Sequence, residues 1–174
     1  MQNIKLIRAV PDDLEKIRKI GMDTIVETFA KSNEDEDTEI YLKESFSKEK
    51  ILKEIQDPDS EFYLAELDGK VIGYLKINFS KAQKNVKDAD SLEIERIYVL
   101  KEFHGKGVGK ILFDKAHSIA VKLKLKYIWL GVWEYNYRAL SFYKKNGFIE
   151  FDKHVFRYGN DEQTDLLMKL ELIK

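Results

Sequence analysis

From Ser91 to Leu123 an alternating strand, a glycine-rich turn and an amphipathic helix follow one another without a gap, and this unit constrains the rest of the chain. In an uninterrupted strand, Leu92, Ile94, Arg96 and Tyr98 point to one side, and Glu93, Glu95, Ile97 and Val99 to the other. One face then carries two carboxylates. The turn runs Phe103-His104-Gly105-Lys106-Gly107-Val108-Gly109-Lys110, and apolar residues recur at helical spacing from Val108 to Leu123. Alternate glycines at a helix start let backbone approach a ligand closely, and the free N–H groups and helix dipole there attract an anion. Lys106 and Lys110 add positive charge, so the turn reads as a phosphate cradle.

Two familiar phosphate folds do not fit. The glycine pattern lacks the last glycine of a dinucleotide fingerprint, because Ile111 and Leu112 follow. It also lacks the Gly-Lys-Ser/Thr ending of a P-loop, since Lys106 precedes Gly107 and Lys110 precedes Ile111.

Composition removes further classes. The 174 residues, 44% hydrophobic, fit one domain spanning residues 1–174 with a substantial core. A net charge of −1 gives no basic field for nucleic acid, and no recognition helix appears. With no cysteine there is neither disulfide, thiolate metal site nor cysteine nucleophile, and His104, His117 and His154 lack ligand spacing, so no metal is expected. No apolar run reaches the ~20 residues of a membrane span, and the first residues lack a signal-peptide core, which points to a cytoplasmic protein.

Around the cradle the chain reads as α/β, with a mixed, mostly antiparallel sheet of about seven strands flanked by helices. A strand from Ile4 to Val10 precedes a helix opened by Pro11 and Asp12, with Leu14, Ile17, Ile20, Ile25 and Phe29 apolar. Glu34 to Asp37 reads as an acidic loop, followed by a helical segment from Ile40 and a helix over Lys48 to Gln56 capped by Ser47. Strands around Phe62–Leu67 and Val71–Phe79 meet at an Asp68-Gly69 hairpin turn. Ser80 to Asp90 reads as a mobile, lysine-rich loop. Tyr127 to Trp133 reads as a strand buried on both faces beside a parallel neighbour, followed by a short helix closed by Gly147. Phe148–Tyr158 and Thr164–Leu172 read as a closing hairpin.

Taken together, the strand, the cradle, and the run from Asn136 to Phe148 resemble the Gcn5-related N-acetyltransferases over the whole chain. The core signature maps onto His104, Gly107 and Gly109, and the downstream Asn-to-Tyr spacing onto Asn136 and Tyr143. More narrowly, Leu92 to Tyr98, Ile128 to Glu134 and Gly159 to Leu166 resemble bacterial spermidine/spermine N-acetyltransferases of the PaiA type. The resemblance implies an acetyl-CoA site in which the backbone of Ile97, Tyr98 and Val99 pairs with pantetheine. The turn of Gly105, Lys106, Gly107, Val108, Gly109 and Lys110 would hold the pyrophosphate. It implies that Asn136 binds the pantetheine side, that Tyr143 faces the sulfur, and that Lys145 reaches a phosphate. Two departures are visible. His104 stands where the family usually has Gln or Arg, and Gly131 stands where some N-terminal acetylases have a Glu.

For chemistry, an alkylamine with a pKa near ~10.4 needs a base, and Glu93 and Glu95, both expected beside Ile97 and Val99, are the candidates, with Glu95 preferred. Tyr143 would protonate the departing thiolate, and a backbone N–H near Val99 would stabilise the carbonyl oxygen. A polyamine acceptor would use separated carboxylates, for which Glu27, Glu34 to Asp37, and Glu93 or Glu95 are candidates. Trp129 is expected in the core, while Trp133, His154 and Phe156 either pack or wall the acceptor pocket. A protein N-terminus, a lysine, an aminoglycoside amine, or a non-catalytic acyl-CoA-binding role stay open, as does a homodimer through the sheet edge or final hairpin.

Overall fold

The computed structural model describes residues 3–172. Its strands are β1 (Lys5–Arg8), β2 (Ser60–Leu67), β3 (Lys70–Asn78), β4 (Ser91–Val99), β5 (Tyr127–Trp133), β6 (Ile149–Tyr158) and β7 (Asp161–Glu171). The helices are α1 (Leu14–Phe29), α2 (Asp35–Ser45), α3 (Lys48–Gln56), α4 (Val108–Lys122) and α5 (Tyr137–Lys145). All seven strands join one sheet in the order β1-β2-β3-β4-β5-β7-β6. Every neighbouring pair is antiparallel except β4 and β5. The mixed, mostly antiparallel α/β sheet expected from the sequence is therefore what forms.

Each face of the sheet has its own core. Leu112, Phe113 and Ala116 of α4 and Leu140 and Tyr143 of α5 pack with Leu92, Ile94, Ile128 and Leu130. On the other face Ile17, Ile20 and Ile25 of α1 and Ile51 of α3 pack with Phe62, Leu64 and Tyr74. Burial of this kind contributes roughly 1.5–3 kcal/mol per large side chain, which is what fixes the helices to the sheet.

Local signals set the boundaries. Asp68 and Gly69 both take positive φ, 50° and 79°, the geometry of a two-residue hairpin turn. Ser47 caps α3 by accepting from Lys50 N at 3.2 Å, and Gly147, at φ 90°, ends α5.

Two expected loops turn out ordered. The acidic run is not a loop. Glu34 is the residue before α2, and Asp35, Glu36 and Asp37 form its first turn, where the helix dipole favours negative charge. Asp37 also accepts from Asn160 N at 2.7 Å, tying α2 to the β6–β7 turn. The segment after β3 is anchored at Gln83, while most of its other side chains stay exposed. Gln83 is buried and accepts from Trp129 Nε1 at 2.6 Å and from Ser91 Oγ at 2.7 Å.

Candidate active site

β4 and β5 pair only from Ser91–Tyr127 to Glu93–Trp129 and then diverge. The divergence opens a cleft of about 1160 Å³ through the middle of the sheet. Every catalytic and cofactor residue expected from the sequence lines it except Lys106, whose ammonium lies 5.1 Å over the Phe103 ring.

The backbone on the β4 edge of the gap follows from register. Leu100 N donates to Ile72 O at 2.9 Å, so Leu100 turns its peptide groups toward β3. By alternation Tyr98 does the same, and Ile97 and Val99 present theirs to the gap. The expectation that Tyr98 offers backbone to a ligand is corrected accordingly. Val99 O is already engaged by His104 Nε2 at 2.7 Å. The two N–H groups of Ile97 and Val99 and the carbonyl of Ile97 remain.

His104, at the signature position, thus bridges two groups of the protein itself. A carbonyl can only accept, so Nε2 carries the proton, and Nδ1 is left to accept from Arg138 Nη1. Burial and then the Arg138 charge lower the imidazole pKa against the opposing Val99 bond, which suits the neutral ring this bridge needs. The permanent charge at the cradle mouth comes from Arg138, a residue the sequence motif did not single out. Gly105 and Gly107 take φ of 73° and 81°, and Gly107 is the residue before α4. Only glycine enters that region without strain, and it turns the free N–H groups of the first helical turn toward the cleft. Lys110, also lining the cleft, is paired with Asp114.

On the opposite face the structure overturns the sequence reading of β4. Lys76 pairs with Arg96 but Ile77 pairs with Ile94, so Glu95 is an extra residue, a β-bulge. Beyond it every side chain changes face. Ile97 and Val99 pack into the α4/α5 core with Leu92 and Ile94, while Arg96 stacks 4.7 Å over the Phe46 ring on the other face. Glu93 and Glu95 therefore do not share the face of Ile97 and Val99. Both receive hydrogen bonds from Asn78 Nδ2, at 2.9 and 2.8 Å, on the α1/α3 side.

The two carboxylates differ in charge state. Burial tends to raise the Glu95 pKa, but Lys76, Arg96 and Lys84 override it and hold the carboxyl well below the usual range. Lys76 is itself fully buried, bonded to Glu95 and 3.0 Å from Glu54. Glu93 is pushed up to about 7, by burial first and by the Glu95 charge second, against the bonds from Asn78 and from Lys84 N. Of the two, Glu93 titrates near neutrality and Glu95 is locked as an ion-pair partner.

Tyr143 sits on the α4/α5 face between the Phe142 and Phe148 rings, and burial raises its hydroxyl pKa well above the usual value. Asn136 caps α5, its Oδ1 accepting from Ala139 N at 3.3 Å. Its amide nitrogen is left for the cleft, where Lys145 also lies. Beyond the gap, Trp133 packs 5.6 Å from Phe29, and His154 and Phe156 line the acceptor side, as does Asp165 of β7. The acidic run from Glu34 to Asp37 lies outside the cleft lining, so the acidic channel expected from it does not form. Glu27 does line it, with one oxygen accepting from Lys101 N at 2.8 Å.

A sheet split between two parallel strands, with free backbone on one edge, a glycine-built helix terminus at one mouth and buried carboxylates at the other, has the form of an acyl-transfer cleft. The chain belongs to the acetyltransferase (GNAT) family, whose model matches residues 22–148. It is 39% identical over 173 residues to an uncharacterized N-acetyltransferase in the pepI 3′ region of Lactobacillus delbrueckii subsp. lactis, covering 99% of this chain and 100% of that one. It is 29% identical over 150 residues to a spermidine N(1)-acetyltransferase of Thermoplasma acidophilum, covering 84% and 88%. Among solved structures, the PaiA N-acetyltransferase of Thermoplasma acidophilum in complex with coenzyme A superposes with a TM-score of 0.81, at 27% identity over 98% of this chain and 99% of that one.

Proposed function

We propose that this chain transfers an acetyl group from acetyl-CoA directly to a primary amine, most consistently that of a polyamine. The observation that carries the reading is the split between β4 and β5, which joins an anion cradle on the α4/α5 face to a titratable carboxylate on the other. The cradle fits a pyrophosphate, because Gly105, Gly107 and Arg138 converge on the N-terminus of α4. The free N–H groups of Ile97 and Val99 fit an extended amide-bearing arm laid along the strand edge. The polyamine acceptor rests on the PaiA-type relatives, and on aromatic walls from Tyr41, Trp133 and Phe156.

In this mechanism the acceptor enters from the α1/α2 side and its ammonium loses a proton to Glu93, whose carboxyl at about 7 is poised for the exchange. The neutral nitrogen attacks the thioester carbon, a C–N bond forms and the C–S bond breaks. Tyr143 donates its proton to the departing thiolate, and the second proton, shed by nitrogen as the amide forms, restores the tyrosine by way of solvent. A backbone N–H of the splayed β4 edge stabilises the carbonyl oxygen. No covalent acetyl-enzyme intervenes.

The test is CoA thiol release from acetyl-CoA with spermidine, spermine, a lysine peptide and a peptide with a free N-terminus. Saturable release with polyamines, reduced 10- to 100-fold in kcat by Tyr143→Phe with CoA affinity unchanged, supports the reading. Release with peptides alone removes the polyamine, and CoA binding without release on any amine removes the catalytic reading.

A further inference from the structure

Asp165 is a carboxylate of the cleft that nothing in the mechanism uses. It sits on β7 opposite Trp133 of β5, and so on the acceptor face. Its side chain leans back over Gly131, where a Cβ would lie 3.4 Å from Oδ2. A Cβ at Gly131 would make ordinary contact there, so the glycine leaves the carboxylate open space without being required for its position. Asp165 is partly buried, lines the cleft, and has no hydrogen bond or ion pair among the described residues. That isolation sets it apart from Glu95, held by Lys76, and from Glu93, held by Asn78 and Lys84 N. Burial alone pushes its carboxyl up to about 6, with no neighbouring cation offsetting the rise.

A carboxylate withdrawn from water without a counter-ion costs free energy unless a ligand supplies the charge. Around it stand Tyr41, Trp133 and Phe156, aromatic faces that suit methylene chain and cation alike. His154, directly across on β6, is exposed and forms no ion pair with it among the described residues. In strand register Asp165 lies on the far arm of the V from Glu93. Its carboxylate, reaching back to Gly131, stands two residues along β5 from Trp129, the partner of Glu93, or about 7 Å at ~3.3 Å per residue. Two acids on opposite arms match two cationic centres of one acceptor.

We propose that Asp165 is a specificity-determining residue that binds a second ammonium group of the acceptor while the reacting amine is at Glu93. This rests on the polyamine reading of the same cleft and adds to it a requirement: the acceptor must carry a cation beyond the nitrogen that is acetylated.

The experiment compares wild type with Asp165→Asn, using spermidine and a monoamine, n-butylamine, as acceptors, and measures spermidine binding to the CoA-loaded protein by calorimetry. The variant keeps size and shape, so folding is preserved; CoA affinity, unchanged, verifies it. The expected result is a KM for spermidine raised at least 10-fold with kcat within twofold, no change in KM for n-butylamine, and a matching loss of calorimetric affinity. Equal kcat losses on both amines would place Asp165 on the proton path and overturn the proposal, as would unchanged kinetics. Should wild type turn over no amine, the catalytic reading fails, and the calorimetric comparison still decides whether Asp165 holds a polyamine.

Discussion

Replacing Glu95 by Gln tests the division of labour between the two acidic residues of β4. Asn78 Nδ2 donates to both, at 2.9 and 2.8 Å, so the accepting oxygens lie no more than about 6 Å apart. A like charge at ~6 Å with an effective dielectric of ~20 is worth about 2.8 kcal/mol, or about two pKa units on Glu93. Lys76 and Arg96 already offset part of the Glu95 charge, so the net effect is about one to two units. Removing Glu95 also frees Lys76 to act on Glu93, in the same direction. As the proposed base, Glu93 must be deprotonated, so kcat/KM rises with pH through about 7 in the wild-type protein. In Glu95→Gln that limb moves down, into the range of about 5 to 6. The assay is thiol release across pH 5–9 with one fixed acceptor, whose own titration is then common to both proteins and cancels. A limb that stays in place, or moves to higher pH, would refute both the coupling and the choice of Glu93.

Lys76→Met removes the cation from a site shared with Glu54 and Glu95 and leaves buried carboxylate charge uncompensated, at a cost of about 3–5 kcal/mol. Urea unfolding should show a lower midpoint at unchanged slope, with most of the loss recovered in the double variant Lys76→Met/Glu95→Met. At the cradle, Gly107→Ala places a Cβ at φ 81° in open space, so the penalty is backbone strain of about 1–2 kcal/mol, read as a lower Tm. Gly109→Ala has an ordinary helical backbone and meets only the Phe142 ring, at 3.8 Å, so its Tm should stay close to wild type. Any weakening of CoA affinity in Gly109→Ala, measured by calorimetry, then reports a ligand at the cradle rather than a damaged fold.

Much of the architecture was legible because the signals were local. Asp68-Gly69, Ser47 and Gly147 each determine a turn or a helix end within a few residues, and the structure places them as their chemistry requires. The continuous apolar run of β5 announced a strand covered on both faces, and it lies between a parallel and an antiparallel neighbour. What was not legible is long-range. The first helical turn of Asp35 to Asp37 is tied down by the contact of Asp37 with Asn160, more than a hundred residues away. Arg138 acquires its place through His104, and Asp165 through the cross-strand register that sets it opposite Trp133. No spacing within one segment encodes either pairing.

The bulge at Glu95 shows why the distinction matters for chemistry. A period of two assigns faces correctly only while the ladder is unbroken, and one extra residue exchanges the faces of everything beyond it. Here the exchange is what lets a single strand serve both halves of the cleft. Before the bulge, Glu93 points to the acceptor side. After it, Ile97 and Val99 turn their side chains into the α4/α5 core while their peptide groups face the gap. Arg96, thrown to the other side, brings the charge that, with Lys76, holds Glu95 ionised, and ionised Glu95 in turn keeps the Glu93 carboxyl high. Burial lifts the Glu93 carboxyl first, and the irregularity that the sequence pattern hides adds the second contribution, through the charge it fixes on Glu95.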